Sequence, residues 1–157
     1  RLAAARGLGD VYKRQDIFRQ MGFFDEYYFF CPEDIALSTA LNRRGYFCYV
    51  NASVELIHYE GCSGKTHISQ IKTATAPAGE KGVIRFLSGS SVVLYIFLTC
   101  FACVIAVLRS LKYRIQNKVS GDNASIMSAA NRNVAAALLT RKTPKEIFVK
   151  YYNRIKH

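Results

Sequence analysis

The feature that most restricts what this chain can fold into is the run "FLSGSSVVLYIFLTCFACVIAVL", residues 86–108, with no charged residue between Arg85 and Arg109. Wound as a helix it reaches roughly 34 Å, against about 30 Å for the hydrocarbon core of a bilayer. Either a protein interior or a membrane accepts such a segment. Its part at 92–108 is the more apolar and is long for a wholly buried core helix. Lys81 and Arg85 precede the run, and Arg109, Lys112, Arg114 and Lys118 follow it, as lipid headgroups favour. The pattern predicts a hydrophobic, membrane-associated helix with basic flanks over 81–118. Both flanks are basic, so orientation is not encoded, and a helix lying in the interface satisfies the same pattern.

Charge is unevenly distributed. Residues 1–80 carry nine Lys or Arg and nine Asp or Glu, whereas 81–157 carry thirteen and two, which accounts for the whole net charge of +11. A basic tail over 119–157 that follows an apolar run reads as an anionic-membrane surface, with Tyr151 and Tyr152 beside Lys150 and Arg154. No recognised nucleic-acid module accompanies it, so no nucleic-acid partner is expected. Five cysteines in irregular spacing fit a reducing cytoplasm. At the other end, "RLAAARGLGDVYKRQ" resembles translated adaptor sequence, and residues 1–15 are expected to be non-native.

Local signals supply a coarse map. "QDIFRQMG" has helical spacing with Gly22 as a stop. In "PEDIALSTALNRRGY", Pro32 and two acids suit a first turn, Arg43 and Arg44 a last turn, and Gly45 the position just beyond, which predicts a helix over about 33–44. "YFCYV" and "SVELIHY" are rich in aromatic and β-branched residues and read as short strands, followed by the loop "EGCSGKT". Further on, "SIMSAANRNVAAALLTRK" and "TPKEIFVKYYNRIK" read as helices, the second opened by Thr143, Pro144 and Glu146.

The chemistry concentrates in "GFFDEYYFFCPEDIALS", where Asp25, Glu26, Glu33 and Asp34 lie among four Phe and two Tyr. Ionised groups are costly to bury unpaired, so this pattern asks for a use. Glu33 and Asp34 at a helix start feel the positive end of the macrodipole, which keeps a carboxylate ionised and available as a base. They serve equally as ordinary first-turn residues. The aromatics offer stacking surface for a sugar, and Phe23, Phe24 and Phe29 suit core packing equally well. His58 reads either as a ligand or as a satisfied buried histidine.

Two stretches, "GFFDEYYFFCPEDIALSTALNRRGYFCYV" and "VELIHYEGCS", together resemble the C-terminal half of the catalytic domain of family 2 inverting glycosyltransferases, in particular the rhamnosyltransferase-like branch. The resemblance covers residues 16–64 and fades over 65–90. It implies an α/β fold, with 16–80 the acceptor-side C-terminal part of a GT-A, Rossmann-like domain, followed by the apolar helix and a basic helical tail. It further implies Asp34 as the general base, Glu33, Asp25 and Glu26 on the acceptor side, His58 toward a metal, and Gly61 and Ser63 in a loop near the donor diphosphate. The implied cofactor is Mg²⁺ or Mn²⁺. The implied partners are a nucleotide-sugar donor and a glycan or lipid-linked acceptor of cell-surface polysaccharide synthesis, at the cytoplasmic face of the membrane.

Departures limit what this implies. No nucleotide-binding half or Asp-x-Asp motif precedes Asp16, so the chain is expected to be a fragment that is inactive alone. Cys31, Pro32 and Ala36 also depart from the family pattern. A non-enzymatic, membrane-tethered binding protein fits the same composition. Two other motifs fail: "GCSGKT" lacks the glycine a P-loop needs at Tyr59, and Cys100 and Cys103 form an isolated C-x-x-C inside the apolar run, better suited to packing than to zinc or redox chemistry.

Overall fold

The computed structural model describes residues 15–47, 49, 53, 55, 57, 68–120 and 122–156. Among the described residues six helices follow one another: α1 (Gln15–Gln20), α2 (Glu33–Arg43), α3 (Ile68–Ser88), α4 (Val92–Ser120), α5 (Asp122–Leu138) and α6 (Pro144–Lys156). Helix α3 is the hub, packing on α4, α5 and α6, while α4 lies along α5. The layers are therefore helix on helix.

Two small cores hold this bundle. Ala74 and Ala78 of α3 meet Ala137 of α5 and Ile147 and Tyr151 of α6. Ile84 of α3 meets Ala102 and Ala106 of α4 and Val134 and Leu138 of α5. Alanine dominates the contacts, so the helix axes approach closely. At the α4–α5 crossing, Ser110 Oγ donates to the Ser128 carbonyl at 3.1 Å and Ser128 Oγ donates to the Ser110 carbonyl at 3.0 Å. Both serines are buried, and each satisfies the other.

Helix ends follow their local chemistry. Gly22 and Gly45, at φ +79° and +82°, adopt the left-handed conformation that ends α1 and α2. The apolar run does not form one helix: it breaks after Ser88, and Ser91 Oγ accepts the Leu94 amide to start α4. Thr143 and Glu146 form a reciprocal cap at the start of α6, with the Thr143 amide donating to Glu146 Oε2 at 2.7 Å. Hydrogen bonds from the Thr143 amide and hydroxyl hold the Glu146 carboxyl below its ordinary value.

The expected α/β fold is not found. No strand occurs among the described residues, and those at 46, 47, 49, 53, 55 and 57 are irregular. A strand persists only with a neighbour to complete its ladder and cover a face. Phe47, Tyr49 and Ile57 instead stand 76%, 89% and 82% exposed. The rest of "YFCYV" and "SVELIHY", and the loop "EGCSGKT", lie outside the described residues. A GT-A, Rossmann-like fragment is thus replaced by a helical bundle.

Helix α3 carries Pro77, Gly79 and Gly82, residues that propensity places outside helices. Proline has no N–H, so the Thr73 carbonyl lacks its helical donor four residues on. Asn133 of α5 fills that role, with Nδ2 donating to the Thr73 carbonyl at 2.9 Å. Likewise the buried Lys81 Nζ donates to the Thr140 carbonyl just beyond α5, and burial lowers its pKa. Asn133→Ala is expected to lower unfolding free energy by about 1 kcal/mol, because it orphans a partly buried carbonyl. In a Pro77→Ala background residue 77 regains its N–H, and the same change should cost well under half as much in denaturant titration. Equal losses in both backgrounds would show that the Asn133–Thr73 bond does not compensate Pro77.

Candidate functional site

A cleft of about 560 Å³ forms where the turn after α1, the exposed start of the aromatic segment, one face of α2 and the end of α3 come together. Asp25, Tyr27, Tyr28, Arg43, Arg85 and Phe86 supply its polar and aromatic lining. A second cavity of about 290 Å³ shares Tyr27 and Arg85 and extends to Ser90, Ser91 and Tyr95 at the start of α4.

Short-range bonds set the turn that carries Asp25. Asp25 Oδ1 accepts the Tyr27 amide at 3.0 Å and its carbonyl accepts the Tyr28 amide at 3.0 Å, which curls the chain and turns the two tyrosines toward the cleft. Phe18 packs edge-on against Phe23 and Phe24, with ring centres 5.3 and 5.1 Å apart. Arg44 Nη1 donates to the Gln20 carbonyl at 2.8 Å and ties α2 to the end of α1.

The segment then crosses α3. The Tyr28 ring meets Phe86 at 6.4 Å and the Phe29 ring meets Phe148 of α6 at 5.1 Å. Beneath it, a Cβ at Gly79 would lie 3.3 Å from the Phe30 carbonyl oxygen, and one at Gly82 would collide with the Cys31 carbonyl oxygen. Glycine at these two positions is what allows the segment to lie directly on the helix.

Burial raises the pKa of Tyr27, and burial followed by the Asp25 charge raises that of Tyr28. Both hydroxyls stay protonated and available as donors. The cleft therefore offers a carboxylate acceptor, two phenol donors, two guanidinium groups and aromatic faces. Sugar hydroxyls and apolar ring faces suit such a lining.

The residues singled out in the sequence separate. Asp25 lines the cleft, while Glu26 is exposed outside its lining. Asp34 is exposed in the first turn of α2, where Oδ1 accepts the Ile35 amide at 2.8 Å; it does not line the cleft. Glu33 is partly buried, and its Oε2 is shielded from solvent without a hydrogen-bond partner among the described residues. His58, Gly61 and Ser63 lie outside the described residues. Among the described residues no group of three or more His, Cys, Asp or Glu converges to hold a metal ion, so no Mg²⁺ or Mn²⁺ is assigned here. Cys103 packs beside α5 with Sγ 3.8 Å from the Ala135 carbonyl oxygen.

Arg43 and Arg85 escape sequence reasoning because each has a local explanation, as a helix-end cation and as a membrane flank. They meet only in the lining of the cleft between α2, the aromatic segment and the end of α3. Comparison with known proteins adds nothing: the chain matches no family model, no curated protein and no solved structure.

Cys31 reports on how the segment is docked. Burial first, then the Glu33 and Asp34 charges, raise its thiol pKa, so less thiolate exists at neutral pH. With the other four of the five cysteines replaced, alkylation of Cys31 should be slower than that of a free cysteine. Asp34→Asn should move the alkylation curve to lower pH, and Gly82→Ala, which lifts the segment off α3, should accelerate the reaction. Unchanged rates in both variants would contradict this environment for the thiol.

Proposed function

We propose that the chain is the acceptor-side, membrane-associated part of a glycosyltransferase that moves a sugar, with inversion, from a nucleotide-sugar to a glycan or lipid-linked acceptor at the cytoplasmic face of the membrane. The observation that carries this reading is the cleft lined by Asp25, Tyr27, Tyr28, Arg43 and Arg85, which lies against the start of α4 through the adjoining smaller cavity. Helix α4 supports the membrane part, being long and apolar enough over Val92–Gln116 to cross a bilayer.

In this reading Asp25 accepts hydrogen bonds from acceptor hydroxyls, the tyrosine hydroxyls donate to them, and the rings stack on the sugar. The guanidinium groups of Arg43 and Arg85 favour an acceptor with acidic groups. Asp34 takes the proton from the attacking hydroxyl, its ionised form favoured by the start of α2. A donor-binding part with Mg²⁺ or Mn²⁺ belongs to a longer parent protein.

A second reading has an observation in its favour. Asp34 lies outside the cleft lining and bonds its own helix, which suits a non-enzymatic, membrane-tethered binding protein. The two readings differ in one variant. In a parent that carries a donor-binding part, Asp34→Asn should reduce transfer by at least about a hundredfold, as loss of a general base does, with nucleotide binding unchanged. Undiminished transfer removes Asp34 as the base. In the present chain, glycan binding followed by ligand-observed NMR should weaken at least about tenfold in Asp25→Asn and in Tyr28→Ala, as expected when a charged hydrogen-bond acceptor or stacking ring is removed. Unaltered binding would exclude the cleft as the acceptor site.

A further inference from the structure

We propose that α4 does not cross the bilayer but lies in the plane of one leaflet, with its apolar face in the acyl region and its basic residues on anionic headgroups. The inference concerns how the chain meets the membrane and does not depend on glycosyl transfer.

It rests on the different fates of the two faces of α4. Val93, Phe97, Phe101, Val104, Leu108 and Ile115 share one face and are all exposed, from 57% to 80%. The opposite face is already occupied. Ala102 and Ala106 are buried against Val134 and Leu138 of α5, and Ser110 exchanges hydrogen bonds with Ser128. A crossing helix meets hydrocarbon on every side its partners leave open, and those partners would have to enter with it. Helix α5 presents Asn131, Arg132 and Asn133 in mid-helix, and α3 exposes Lys72, Glu80 and Arg85. A charged or strongly polar side chain at mid-bilayer is costly unless it is paired or reaches the interface. An in-plane helix keeps α3 and α5 on the water side and leaves the two serine bonds intact.

The length of the stripe supports the same conclusion. The exposed apolar face continues past Arg109 on the same side through Leu111 to Ile115, so a span over Val92–Gln116 would carry Arg109, Lys112 and Arg114 within it. Arg109 points instead into a cavity beneath α4 that Tyr113 and Asn131 also line. By helical geometry the exposed Lys112 and Arg114 fall on opposite edges of the stripe, where their stems can follow the apolar surface and their charges reach headgroups. Charge selects lipid over a second copy of the chain: residues 81–157 carry thirteen basic and two acidic side chains, so two such surfaces repel each other and an anionic leaflet attracts both.

The chain has no tryptophan, so one introduced in place of Phe97, Phe101 or Leu108 is a single reporter. Each variant is bound to phosphatidylcholine vesicles with and without phosphatidylglycerol, and its depth is read by quenching with lipids brominated at graded chain positions. The expected result is one shallow depth for all three, roughly 5–10 Å below the headgroup boundary. Binding should weaken at least about tenfold on neutral vesicles and in the Lys112→Glu, Arg114→Glu double variant. A crossing helix separates positions 97 and 108 by roughly 16 Å along the normal, and that gradient overturns the proposal. Absence of quenching at all three positions overturns it too, and a dimer in sedimentation would then assign the stripe to a second copy. Co-sedimentation of the unaltered chain with the same vesicles guards against a folding defect in the variants.

Discussion

The close approach of other segments to α3 is the constraint on which the rest of the molecule depends. Ala74, Ala78, Gly79 and Gly82 keep its surface low, and the partners that use this surface are different at each position: α5 and α6 at the alanines, the aromatic segment at the glycines. A helix built this way is weak on its own account, since glycine and proline each cost helix stability. Tertiary contacts offset the loss, through Asn133 on the Thr73 carbonyl and through Lys81 on the end of α5. The residues that make α3 a poor isolated helix are the ones that let it organise the bundle.

This explains which elements could be read from the sequence. Helix α2 was legible because Glu33, Asp34, Arg43 and Gly45 are all local signals, and α6 because Thr143, Pro144 and Glu146 spell out its start. The interruption at Gly89–Ser91 hid within a continuous apolar run, since hydropathy does not register a serine that caps a helix. Helix α3 was not legible, because Pro77, Gly79 and Gly82 are punctuation to any local rule and their compensation comes from some 50 or 60 residues away in sequence. The strands at "YFCYV" and "SVELIHY" were inferred from residue type alone. A β-rich composition describes a side-chain surface that fits a sheet, and the described residues of these stretches form no strand.

The candidate site divides along the same line. The aromatic and acidic character of the 22–34 stretch was visible in the sequence, and Asp25, Tyr27 and Tyr28 do line the cleft. Its cations were not, because Arg43 and Arg85 are 42 positions apart and each satisfies a local rule where it stands. Nor could spacing show that Asp34 turns to its own helix while Asp25 turns to the cleft. The difference comes from one backbone amide in each case, Ile35 for Asp34 and Tyr27 for Asp25, and from whether the resulting turn faces the bundle.

Arg85 links the two halves of the functional proposal. It lines both cavities, and its Nη1 also donates to the Gly89 carbonyl at 3.0 Å, within the short break from which α4 departs. The bond secures the end of α3 with a cation, where the helix dipole favours one. Because the same guanidinium faces the cleft, the position of its charge and the direction in which α4 leaves are set together. A helix held in the plane of a leaflet by its exposed stripe would then fix the height of the cleft relative to the headgroups. An acceptor attached to lipid would meet Asp25 and the two tyrosines at a set distance from the membrane, with the bend at Gly89 rather than any mobile linker as the ruler.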